Sequence, residues 1–233
     1  MGVHRDPDGV PSQYDDAVNR LGRRPRSGRV ALEVAERLPG LELLHLDAPV
    51  AVTRKSPRWA LERLRYLSTA VRGTSVLHAH RNEAPAAYRQ LYRDIGRDPD
   101  EDPPPLERAY RERLTRGGFP RAGLPADALT IVLAETGIPI WCADAELLEG
   151  PLGIRRSLPG EIPVPRGLDP ELTAGQLVVA DDLGVVAELC RDVRPLRAVG
   201  RDSRHAVLFS VRPGPVSDLR VHEAFWSCLE LLS

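Results

Sequence analysis

The chemistry this sequence can offer is settled first by what its reactive residue types lack. His78 and His80 are two apart, and on an extended Val76–His80 segment they share one side, a spacing that can chelate zinc. No third ligand follows nearby, so the pair reads as two histidines at a strand end and no metal is expected. Cys142, Cys190 and Cys228 are widely separated in apolar surroundings, which points to reduced core thiols rather than a disulfide or metal set. No serine sits in a Gly-x-Ser-x-Gly elbow and no glycine loop is built to cradle phosphate. Asp181-Asp182 precedes Leu183-Gly184, which is turn chemistry before it is a cation site. No cofactor is implied. Trp141 remains, readable either as a packed strand residue or as a pocket wall with Thr130 and Asp144. Without a nucleophile–base pair, any hydrolysis must depend on an oriented water.

Those residues are carried by helices in the first half and strands in the second. Residues 1–26 read as a flexible N-terminal arm, polar at its start and ending in Arg23, Arg24 and Arg26. Ser27 is placed to cap a helix running through Arg37, with Gly40 as its stop. Leu41–Leu46 reads as a short buried strand. Ser56-Pro57 opens a second helix towards Val71, and Pro85–Ile95 forms a third, closed by Gly96. Arg97–Pro105, with four acidic residues and four prolines, is the strongest candidate for an exposed loop. Leu106–Arg116 and Ala126–Thr136 are helices stopped by glycines.

From Ile138 the apolar period changes to that of strands: Ile138–Cys142, Gly153–Arg156, Leu177–Ala180, Val185–Cys190 and Ala206–Val211. Asp181-Asp182-Leu183-Gly184 joins two of these as a hairpin. Ser217–Leu232 is an amphipathic helix whose predicted apolar face is Leu219, Ala224, Phe225, Cys228, Leu229 and Leu232. Helices followed by strands predict an α+β domain spanning 27–233, with a mixed or antiparallel sheet flanked by helices. Leu133, Ile138, Ile140, Val178, Val186, Val207, Leu208 and Phe209 are its expected core.

Composition sets the class. The chain has 233 residues, 42% apolar and 28% charged, with a net charge of −1, which describes an ordinary globular protein able to bury a core. It shows none of the basic excess that often marks RNA binding. Its basic residues are nearly all arginine, with Lys55 the only lysine. No apolar run is long enough for a membrane span, and the polar start, Met1 to Asp15, predicts no secretory leader, so a cytoplasmic protein is expected.

An ordered series of segments carries a family resemblance. "ERAYRERLTRGG" (107–118), "GLPADALTIVLAETGIPIWCAD" (123–144), "LLEGPLGIRR" with Gly150, Arg155 and Arg156, "GQLVVADDLGVVA" (175–187) and "GRDSRHAVLFSV" follow one another. Together they resemble the B3/B4 domain of the bacterial phenylalanyl-tRNA synthetase beta subunit. "APAAYRQLYRDIGRDP" (84–99) is similar to the lead-in helix of free-standing members, so the best-matched part is 84–211.

The resemblance implies a domain that hydrolyses a wrongly esterified aminoacyl-tRNA in trans through a positioned water. It implies a substrate pocket walled by Thr130, Trp141, Asp144, Glu188 and Ser203, near the N-terminal end of the hairpin strands. Ser203 reads equally as a capping residue. The chain departs from the family at Thr130, where the synthetase has Asn, at Trp141, where the strand often has His, and at Arg191–Leu196. There "RDVRPL" replaces the Gly-Gly and Glu that read a tyrosine hydroxyl. Tyrosine specificity is therefore not carried over. The alternatives are a module that binds an aminoacyl-tRNA or free amino acid without hydrolysis, and an interaction protein with a degenerate pocket.

Overall fold

The computed structural model describes residues 23–73, 82–161 and 174–233. Residues 1–22 of the expected arm and the Val76–His80 segment, with His78 and His80, lie outside the described residues.

The strands are β1 (Arg26–Ser27), β2 (Arg29–Val30), β3 (Glu42–Pro49), β4 (Trp141–Asp144), β5 (Gly153–Arg156), β6 (Leu177–Asp181), β7 (Gly184–Glu188) and β8 (His205–Arg212). They form two four-stranded sheets in the orders β1-β3-β8-β4 and β2-β5-β6-β7. The first is antiparallel throughout; the second is mixed, because β2 runs parallel to β5. The described helices are α1 (Leu32–Arg37), α2 (Arg58–Ala70), α3 (Glu83–Asp94), α4 (Pro105–Arg116), α5 (Ala126–Thr136) and α6 (Asp218–Leu232). The protein is thus α+β, with two sheets where one was expected, and with β3 as a full member of the first.

Both pairs of sheet margins are joined. At one margin β1 pairs with β3 while β2, one residue later, pairs with β5, so a single extended stretch belongs to both sheets. At the other, the segment after β7 bridges across: Val193 pairs with Ala187 of β7, and Ala198 pairs with Ala143 of β4. Backbone hydrogen bonds from Arg194 N to Val186 O and from Asp144 N to Arg197 O, both 2.9 Å, fasten that bridge. Unpaired edge groups are therefore few where the sheets meet.

The first seam overturns one expectation. No helix starts at Ser27; Ser27 pairs with Leu44, and α1 begins only at Leu32 behind Ala31, which makes no side-chain cap. Pairing with a long central strand satisfies this backbone better than a single capped turn would. Residues 23–26 also pack on the domain, with Arg23 donating to Asp47 O at 2.7 Å and Arg26 paired with the Asp47 carboxylate. The strand expected over Ile138–Cys142 shifts to Trp141–Asp144, since Pro139 has no N–H for the ladder. Ile138 and Ile140 are buried all the same.

The core forms where predicted, with three exceptions. Val178, Val186, Val207, Leu208 and Phe209 are buried, but Leu133 and Leu232 are only partly so, and Leu219 lies exposed on α6. The buried stripe of α6 is Val221, Ala224, Phe225, Cys228 and Leu229, at helical spacing, and it packs on α5, β8 and β3. The loop Arg97–Pro105 is tied down rather than free. Arg89 of α3 pairs with Asp100 and with buried Glu107, and Asp102 pairs with both Arg108 and Arg191.

The entry to α5 is set by one glycine. Gly123 has φ +87°, and a Cβ there would lie 1.9 Å from the carbonyl oxygen of Thr53. Thr53 also accepts the Leu124 N–H on Oγ1 at 3.0 Å and donates its own N–H to Leu124 O at 3.0 Å. Gly123→Ala should destabilise the protein by at least about 2 kcal/mol, from left-handed strain and a backbone clash. Urea unfolding monitored by circular dichroism checks this; a midpoint unchanged from wild type would contradict the close approach.

Candidate functional site

Helices α4 and α5 each turn one face towards the second seam. On α4 that face is Pro105, Arg108, Ala109 and Glu112; on α5 it is Ala126, Leu129, Thr130 and Leu133. Both sets follow the i, i+3, i+4, i+7 spacing that keeps residues on one side of a helix. With Ile140 and Trp141 at the start of β4, and Asp192, Val193 and Ala198 from the bridging segment, they enclose a cleft of about 400 Å³. This falls in the size range of small-molecule sites. Leu133 is half-buried because it faces this cleft rather than the core.

The floor is apolar and rigid. Trp141 is 7% exposed and stacks on Phe209, its cross-strand partner, with ring centroids 5.8 Å apart. An aromatic pair of this kind anchors β4 as well as offering a surface to a ligand. The rim is charged. Arg108 is 3.5 Å from Asp102 and donates to Pro103 O at 3.2 Å; Glu112 pairs with Arg116 at 3.0 Å. Asp192 is exposed and makes no ion pair among the described residues. The rim thus carries one guanidinium and two carboxylates beside an apolar floor, with Arg108 and Glu112 one turn apart on α4 and Asp192 on the bridging segment left to meet a cationic amine on a ligand with an apolar body.

The five residues expected to wall one pocket fall in three places. Thr130 and Trp141 share the cleft, with the Thr130 hydroxyl donating to Ala126 O at 3.0 Å. Asp144 and Ser203 form a buried pair outside it. The Ser203 hydroxyl donates to Asp144 and accepts the Gly200 N–H at 2.8 Å, while Asp144 accepts the Glu146 N–H at 2.9 Å. Both side chains are spent on holding turns, so Ser203 is a cap. Glu188 is ion-paired to Arg97 and lines a different cleft. The cleft that Thr130 and Trp141 share therefore lies between α4, α5 and the bridging segment, and Asp144, Glu188 and Ser203 do not line it.

Sequence reasoning missed Arg108, Glu112, Leu129, Asp192 and Val193. The helical spacing on α4 and α5 could have pointed to the first three. Asp192 and Val193 reach the cleft through bridge pairing that no local pattern announces. The aspartate pair behaves as turn chemistry: Asp181 accepts the N–H groups of Leu183 and Gly184 at 3.0 Å and of Glu149 at 2.9 Å. Gly150 packs directly on Asp182, with a Cβ there only 2.0 Å from a carboxylate oxygen.

The cleft holds one thiol, and it is not a nucleophile in this state. Burial, and then the nearby Asp144 charge, push the Cys142 thiol up to about 12; burial likewise pushes Cys190 up to about 12. No protein-family model matches the chain, and no curated protein matches it. Among the described residues no group of three or more His, Cys, Asp or Glu side chains is arranged to hold a metal ion, and no helix is long and apolar enough to cross a membrane.

All three cysteines are buried and unpaired. A thiol reagent at pH 8 should therefore leave the native protein unmodified and label three thiols once denaturant is added; rapid labelling of the native state would mean that the cleft floor opens.

Proposed function

We propose that this chain is an editing-type domain of the phenylalanyl-tRNA synthetase B3/B4 kind, acting in trans on an aminoacyl-tRNA. The observation that carries the reading is the cleft between α4 and α5, an apolar floor beneath one guanidinium and two carboxylates. An aminoacyl ester matches it. Its side chain lies on Trp141, its free α-ammonium is drawn to Asp192 and Glu112, and Arg108 stands ready for charge developing on the ester carbonyl oxygen. A water oxygen adds to that carbonyl, the ester C–O bond breaks, and the terminal hydroxyl of the tRNA leaves with a proton. The products are the free amino acid and uncharged tRNA. Catalysis in such a site is mainly orientation.

A second reading, a module that binds the aminoacyl group or a free amino acid without hydrolysis, has one observation in its favour. Thr130 carries the one side-chain hydroxyl among the described residues lining the cleft, and its proton is already donated to Ala126 O.

Deacylation of a panel of charged tRNAs at low salt separates the two. The first reading expects release for at least one apolar aminoacyl-tRNA, with no acyl-enzyme burst. It expects Asp192→Asn to lower kcat/KM by about tenfold, since a charged hydrogen bond is lost. Asp192 is exposed, so its thermal midpoint should stay close to wild type. Absence of release, with a thermal shift from a free amino acid, favours the binding module. Neither release nor any shift would sink both.

A further inference from the structure

Glu188, Arg97, Arg156, Arg37, Gly175 and Gln176 help line a second cleft of about 320 Å³, formed by the end of α1, the turn after α3 and the strands β5–β7. We infer that this cleft binds the phosphate group of a small phosphate monoester, independently of the site between α4 and α5.

Most partly buried arginines of this chain are matched to a carboxylate. Arg155, next in sequence, is paired with Glu161; Arg97 is paired with Glu188 and donates to Leu189 O at 2.8 Å; Arg197 and Arg212 each face a carboxylate. Arg156 differs. Its guanidinium is fixed by donation to Gly175 O at 2.7 Å, yet among the described residues it faces no carboxylate. A half-buried guanidinium with donors still open is costly unless an anion arrives. Arg37, the last residue of α1, brings a second exposed cation to the same cleft, and it too forms no ion pair among the described residues. After the internal Arg97–Glu188 pair, two guanidinium forks remain, projecting from different elements. A carboxylate presents one edge, suited to one fork, whereas a phosphate presents several and can engage both. The volume leaves space for a small organic group beside the phosphate.

Calorimetric titration at low salt tests this, with glycerol 3-phosphate, inorganic phosphate and acetate as probes. Wild type should bind glycerol 3-phosphate saturably, and more tightly than acetate. Arg156→Gln and Arg37→Gln should each weaken binding by about tenfold, while Arg65→Gln, an exposed arginine on α2, should leave it unchanged. Glu188→Gln should tighten binding by at least about threefold, because it removes a repelling charge and frees Arg97. That gain is something a purely structural Glu188 would not produce. If Arg156→Gln does not fold, Arg37→Gln and Glu188→Gln carry the test. The proposal is overturned by the absence of saturable binding to wild type, by acetate binding as tightly as glycerol 3-phosphate, or by equal losses in Arg65→Gln and Arg37→Gln.

Discussion

Two small sheets in one chain are stable only if their margins are held together, and the segment that does this at the second seam also builds the cleft. Residues 189–199 have little regular structure of their own, yet they bridge β7 to β4 through paired alanines and valine. Their anchors come from far away in sequence. Tyr92 of α3 donates to Cys190 O at 3.2 Å, Arg97 lies over the Tyr92 ring at 5.4 Å and donates to Leu189 O, and Arg191 pairs with Asp102. Arg197 closes the other end on Leu147 O and Asp181. Asp192 and Val193 are presented to α4 and α5 because their neighbours are tied on both sides.

α3 is the element that makes this possible. Tyr88 and Tyr92, one turn apart and both buried, donate respectively to Val211 O at the end of β8 and to Cys190 O beyond β7. One helix face thus fastens both sheets. Burial pushes the Tyr92 hydroxyl up to about 12, so it stays a neutral donor throughout the physiological range. The arginine–carboxylate pairs around it are partly or largely buried and serve mainly to fix geometry; exposed pairs such as Arg58–Glu62 contribute at most about 1 kcal/mol. Losing Asp102 would leave Arg108 and Arg191 without their shared partner, and so would loosen the cleft rim and the seam together.

Much of this was legible where local chemistry decides structure. α5 runs from Ala126 to Thr136 and β5 from Gly153 to Arg156, as glycine stops and strand period predict. The Asp181 turn follows from its own sequence. Structure decided by distant partners was not legible. Ser27 looks like a cap until β3 is present to pair with it, and Glu188 looks available until Arg97, 91 residues away, claims it. Asp144 and Ser203 are suitable as ligand contacts by type but are consumed by each other. Thr130 takes its place in the cleft from helix spacing, a local pattern, whereas Trp141 is set there by pairing with Phe209 of β8, a distant partner.

The central claim is that the cleft between α4 and α5 holds an aminoacyl group. A crystal structure with a nonhydrolysable aminoacyl-adenosine analogue carrying an apolar side chain tests it most directly. The account predicts that side chain against Trp141 and Leu129, with the α-amino group within hydrogen-bond distance of Asp192 or Glu112. An analogue seated elsewhere on the protein, with the cleft filled only by water, would contradict it.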